Sequence, residues 1–131
     1  MRWSDEYATG VERIDDQHKM LFKFAEDFRA ALDEERGERV YGVLLRSLDL
    51  YVHSHFSFEE KCMDRYRCPV AQRNREADVR FVEVLSGFQQ RYAVSGFDHA
   101  VARDLLDTID QWLGDHICRI DVHLKQCVEK P

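Results

Sequence analysis

His55-Phe56-Ser57-Phe58-Glu59-Glu60 lies inside a longer run from Leu48 to Tyr66. At helical pitch Leu48, Tyr51 with Val52, His55, Glu59 and Cys62 fall on one face. Such a helix carries an imidazole and a carboxylate, four residues apart, in the middle of its apolar stripe. A core rejects both groups unless they are paired or hold a metal. From this pair alone two readings stand: metal ligands, or an internal His–Glu hydrogen bond.

Working outward, the neighbouring segments repeat the pattern. Ile14, His18, Leu21, Ala25, Phe28 and Leu32 are spaced by four and three. They predict a helix from Glu12 to Arg36, with Gly37 as its C′ residue. The run around His55 predicts a second helix from Glu38 to Tyr66, stopped at Arg67-Cys68-Pro69. A third, from Val70 to Tyr92, has the stripe Asn74, Asp78, Phe81, Leu85, Phe88 and Tyr92. Its two polar members are either surface residues at a frayed end or part of a site. After a turn at Val94-Ser95-Gly96, a fourth helix runs from Phe97–Asp98 to about Val128. Its core face is Val101, Leu105, Ile109, Trp112, Leu113, His116, Ile120 and Leu124.

His116 and Asp121 are five residues apart, which on an ideal α-helix separates them by about 140°. Sharing one metal therefore requires a partly unwound turn; the alternative is two metals with Asp121 reaching across the seam. Residues 1–11 read as an extended arm anchored by Trp3 and Tyr7, with a turn at Gly10. His53 and His99 are expected to face solvent. His123 and Cys127, four apart, form a candidate for a second, weak metal site.

Four amphipathic helices joined by short connections predict an all-α, up-down-up-down antiparallel bundle as one domain, residues 1–131. Alternating direction brings His18, His55 with Glu59, Asn74 with Asp78, and His116 with Asp121 to one end. Three histidines and two carboxylates in one layer suit iron, manganese or zinc without a thiolate.

Composition narrows the class. With 25 Asp and Glu against 19 Lys and Arg, the chain has a net charge of -6, and no nucleic-acid partner is expected. No apolar run is long enough to span a bilayer and no apolar leader stands at the start, so no membrane contact and a cytoplasmic location are expected. No partner protein is legible. The four cysteines, Cys62, Cys68, Cys118 and Cys127, contain no CxxC pair; they read as small buried hydrophobes or spectator thiols, not a disulfide framework.

These stretches resemble the hemerythrins, in particular the single-domain bacterial ones. Trp3-Ser4 followed by Gly10-Val11-Glu12-Arg13-Ile14-Asp15-Asp16-Gln17-His18-Lys19-Met20-Leu21-Phe22 is similar to the family's opening. Leu48 through Tyr51 to His55-Phe56-Ser57-Phe58-Glu59-Glu60 is similar to its second signature, and Met63-Asp64-Arg65-Tyr66-Arg67-Cys68-Pro69 to the turn that follows. Trp112-Leu113-Gly114-Asp115-His116-Ile117-Cys118-Arg119-Ile120-Asp121 resembles its fourth-helix signature.

The resemblance implies a di-iron centre that binds dioxygen reversibly. One iron would take His18 and His55 and keep an open position for dioxygen. Glu59 and Asp121 would bridge both irons with an oxo or hydroxo group, and the second iron would take His116. The family supplies two further histidines from the third helix, and those positions here hold Asn74 and Asp78. Asp78 is the better replacement ligand, because a carboxylate offsets a cation and the amide of Asn74 does not. Three outcomes stand: the pair survives with a more carboxylate-rich second site, it collapses to one metal held by His18, His55, Glu59 and Asp121, or water fills the vacancies and leaves the second metal labile. A weaker second ion near His116 is expected. Leu21, Phe56, Phe81, Trp112 and Leu113 are expected to form an apolar dioxygen pocket. Two competing functions are a di-iron oxidase- or peroxidase-like enzyme, and a metal-buffering or sensing domain without gas chemistry.

Overall fold

The structure, a computed structural model, describes residues 2–129 and their side chains except those of residues 119, 120, 122, 128 and 129. Four long helices form the expected antiparallel bundle: α1 (Glu12–Asp33), α2 (Gly37–Arg65), α3 (Ala71–Ser95) and α4 (His99–Leu113). A π-helical segment, Gly114–Ile120, a 3₁₀ turn, Asp121–His123, and a short α5, Leu124–Glu129, continue α4. No helix among the described residues is long and apolar enough to cross a membrane.

The stripes read from the sequence point inward. Ile14, His18, Leu21, Ala25, Phe28 and Leu32 are all buried, as are Leu48, Val52, His55 and Glu59. Asn74 and Asp78 are buried too, at 0% and 3% exposure, so the start of α3 is not a frayed surface end. Ile120, expected on the core face, lies outside the described side chains.

The arm is not simply extended. Asp5–Tyr7 forms a 3₁₀ turn, and Trp3 and Tyr7 pack on Phe22, with Tyr7 stacked at 6.0 Å and 5°. Gly10 takes φ 85°, as the turn requires. Asp15, in the first turn of α1, then reaches back to the arm, accepting from the Thr9 N–H at 2.7 Å and the Thr9 hydroxyl at 2.9 Å.

The end of α1 departs from expectation. The left-handed residue is Glu35, with φ 58°. The Arg36 N–H donates to the Ala31 carbonyl at 2.7 Å and the Glu35 N–H to the Leu32 carbonyl at 3.3 Å, a Schellman ending. Gly37 instead opens α2, because a Cβ there would stand 2.6 Å from Leu32 Cδ2 and 3.2 Å from the Phe97 ring. Arg67, with φ 52°, closes α2 the same way, the Cys68 N–H donating to the Met63 carbonyl at 2.9 Å.

The cysteine expectation also needs correction. Cys68 in the α2–α3 turn and Cys127 in α5 are joined by a disulfide, with Cα atoms 5.7 Å apart. Cys127 is therefore not a thiolate ligand alongside His123, and the candidate second metal site falls away. The antiparallel turn and the returning C-terminal segment bring together cysteines 59 residues apart, a proximity that spacing alone does not reveal.

Candidate metal centre

One polar layer interrupts the core. Each bundle element contributes to it: His18 from α1, His55 and Glu59 from α2, Asn74 and Asp78 from α3, His116 and Asp121 from the π segment and the turn after it. The main apolar cluster lies on one side. Ile14, Met63, Cys68 and Leu124 form a second cluster that seals the other side, at the α2–α3 turn.

The π segment answers the question of the five-residue spacing. Hydrogen bonding from i to i+5 widens the turn, and His116 Nε2 comes within 2.8 Å of Asp121 Oδ2. His18 Nε2 lies 3.2 Å from His55 Nε2, 3.0 Å from Glu59 Oε2 and 2.9 Å from Asp121 Oδ2. His55 Nε2 is 3.4 Å from Glu59 Oε2, and His116 Nε2 is 3.3 Å from Glu59 Oε1. One donor atom from each of His18, His55, Glu59, His116 and Asp121 falls within a set no wider than 4.8 Å, and all five residues are fully buried.

These groups fit a cation better than one another. Two imidazole nitrogens face each other across 3.2 Å. His116 Nε2 and Asp121 Oδ2 are close enough to hydrogen-bond, yet misaligned, so both remain without a hydrogen-bond partner. Buried polar atoms left in that state cost free energy, and a positive ion between them would satisfy them together.

Outside the cluster each of two rings meets one further side chain. His55 Nδ1 donates to Gln17 Oε1 at 2.8 Å, which leaves its Nε2 lone pair directed at the cluster. His116 Nδ1 lies 3.5 Å from Asp78 Oδ1. Asp78 thus stands on the Nδ1 side of the His116 ring and is not among the five convergent donors. Asn74 stands nearer the centre. With its amide nitrogen turned toward the carboxylates, it lies 3.1 Å from Glu59 Oε1 and 3.3 Å from Asp121 Oδ1.

Charge is unevenly shared in the metal-free layer. Burial disfavours charge on His18, but its contacts with Asp121 and Glu59 outweigh this and raise it to about 9. His116 is raised well above its ordinary value for the same reasons. Burial, reinforced by the neighbouring His18 and His116, pushes His55 down to about 3 despite Glu59. Burial also lifts Asp78 to about 8. Asp121 lies below the usual carboxylate range, because His116 and His18 outweigh its burial.

All five expected pocket residues, Leu21, Phe56, Phe81, Trp112 and Leu113, are buried in the main cluster. Phe56 and Trp112 stand against the imidazoles, and Phe81 backs Trp112. Trp112 stacks on His116 at 4.6 Å and 12°, Phe81 stacks on Trp112 at 4.2 Å, and Phe56 lies 5.7 Å from His55 and 5.6 Å from His116. A surface cleft of about 320 Å³ is lined by Phe81, Trp112 and His116, and another of about 380 Å³ by Phe56 and Asp78. His53, His99 and His123 are exposed and are not among the convergent donors.

Sequence reasoning assigned Gln17 no role. It sits beside the apolar stripe, half-buried, and periodicity gives no sign of its side-chain partner.

Residues 9–128 match the model of the hemerythrin HHE cation binding domain. The chain is 27% identical over 115 residues to a protein named bacteriohemerythrin from Pseudomonas aeruginosa, covering 88% of this chain and 72% of that one. It is 25% identical over 115 residues, with the same coverage, to the bacteriohemerythrin of Stenotrophomonas maltophilia. The bacteriohemerythrin of Clostridium acetobutylicum is 23% identical over 123 residues, covering 91% of this chain and 94% of that one. With a family match over nearly its whole length, the matching bundle and a buried cluster of His, Glu and Asp that fits a metal, this chain belongs to the hemerythrin family.

Proposed function

We propose that this protein holds iron in the buried layer and binds dioxygen there reversibly, for storage, delivery or sensing. The observation that carries the proposal is the convergence of three imidazoles and two carboxylates within 4.8 Å, without thiolates, against an apolar aromatic wall. That donor set suits ferrous iron, which when bound supplies the electron density dioxygen requires.

The chain's own residues do the rest. His18, His55 and His116 present Nε2 as ligands, and Glu59 and Asp121 balance the cation's charge. Gln17 holds the His55 ring from behind, and Asp78 stands 3.5 Å from the outer nitrogen of His116. Phe56, Phe81 and Trp112, with Leu21 and Leu113, exclude water and limit proton delivery, which favours release of the gas over turnover.

The test is to load the protein with ferrous iron without air and then admit air. A visible absorbance band that appears with dioxygen and vanishes on its removal supports the reading; irreversible oxidation without such a band refutes it. A second reading, metal buffering without gas chemistry, draws support from Asn74, whose amide meets two carboxylate oxygens that a further cation would need. The enzymatic alternative required Asp78 as an added ligand and loses support from its position behind His116.

A further inference from the structure

We infer that the centre takes a single divalent ion, held by all three histidines, Glu59 and Asp121, with the Asn74 amide standing where a second ion would otherwise sit. The inference rests on the metal-binding reading above and specifies how many ions that layer accepts.

The first ground is size. Two ligands on opposite sides of one ion lie about 4.2 Å apart when each bond is about 2.1 Å. In a two-metal site the ions are about 3.5–4 Å apart. Terminal ligands at its two ends would then spread to about 6–8 Å. Here every one of the five donor atoms lies within 4.8 Å of every other. A contraction of a few tenths of an ångström closes that set around one ion, whereas two ions would force it apart.

The second ground is where His116 points. A histidine serving a separate ion would aim its nitrogen away from His18 and His55. Instead His116 Nε2 contacts Asp121 Oδ2, the oxygen that also meets His18 Nε2. His18 and His55 also share Glu59 Oε2, and His116 Nε2 faces Glu59 Oε1 at 3.3 Å, so Asp121 Oδ2 is the atom on which the His116 and His18 rings converge.

The third ground is Asn74. Glu59 and Asp121 each have a second oxygen, Oε1 and Oδ1, on the side facing α3. With the buried Asn74 amide turned so that its nitrogen faces these two acceptors, the nitrogen lies 3.1 Å and 3.3 Å from them, within donating distance of both. An N–H donor there satisfies the carboxylates as a cation would, without adding charge. Asp78 does not restore a second ligand set, because its Oδ1 lies on the Nδ1 side of His116, 3.5 Å from that atom, and is not among the five convergent donors.

The experiment loads the full chain anaerobically with excess Fe(II) and, separately, Mn(II), removes unbound metal by gel filtration, and measures metal per chain. One ion per chain, with an uncoupled Mn(II) electron paramagnetic resonance spectrum, is expected. Two ions per chain, or a spin-coupled Mn(II) pair, overturns the inference, and so does the absence of bound metal. Asn74→His with Asp78→His should raise the count toward two and introduce coupling. That variant extends the result, but the wild-type count decides by itself. One ion with no reversible dioxygen band would leave this inference standing and refute the dioxygen reading, so the two failures are distinguishable.

Discussion

Gln17 Oε1 accepts a hydrogen bond from His55 Nδ1 at 2.8 Å, fixing which nitrogen of the ring faces the centre. The Tyr51 hydroxyl, in turn, donates to the Gln17 backbone carbonyl at 3.2 Å. Gln17→Leu keeps the side-chain bulk and removes the acceptor. Metal affinity should fall by about 10–100-fold, read by competition with a chelator of known affinity. A change below about threefold would reduce Gln17 to a packing residue.

Metal binding should stabilise the fold through His18. An ion at one hundred times its dissociation constant adds about 2.7 kcal/mol to the native state. Wild-type protein should gain that stability when metal is added and lose it to a chelator. His18→Ala should show no such difference. Equal chelator sensitivity in both proteins would remove His18 from the ligand set.

Affinity should also climb with pH. His18, raised to about 9, and His116, raised further than its ordinary value, are protonated near neutrality in the metal-free protein. An incoming ion displaces both protons. Apparent affinity should therefore rise by up to about 100-fold per pH unit between about pH 6 and pH 8, with proton release measurable in weakly buffered solution. The metal-free fold should respond in the opposite sense. A His with a raised folded pKa contributes stability that is complete below about 6.5 and is lost as pH rises through about 9. A pH-independent affinity would show that neither ring carries a proton beforehand.

The Cys68–Cys127 disulfide closes a loop with a sequence separation of 59. On the chain-entropy account such a cross-link stabilises the fold by about 4 kcal/mol. A dithiol reductant should lower the denaturation midpoint of the wild-type protein and leave that of Cys127→Ser unchanged. Identical midpoints before and after reduction would contradict it.

The α1–α2 connection yields a pair of opposed outcomes. Gly37→Ala brings a Cβ to 2.6 Å from Leu32 Cδ2, inside the buried core, and should destabilise by about 1–3 kcal/mol. Glu35→Gly relieves a left-handed backbone at φ 58° and should stabilise by up to about 1 kcal/mol. Chemical denaturation measures both; stabilisation by Gly37→Ala would show that Leu32 repacks without cost.

The sequence by itself determined the helices, their buried faces and the common height of His18, His55, Glu59, His116 and Asp121. Periodicity suffices for this, because an amphipathic helix must turn its apolar stripe inward, and any polar residue within the stripe travels with it. Tertiary structure decided what those residues meet. The π segment that aligns His116 with Asp121 appears in the sequence only as an awkward spacing. Asn74 and Asp78 share a stripe, yet one faces the carboxylates and the other the back of a histidine, a distinction made by angles that helical period does not resolve. Gln17, Gly37 and the Cys68–Cys127 bridge depend on contacts between segments distant along the chain. Such contacts exist only once the helices have packed.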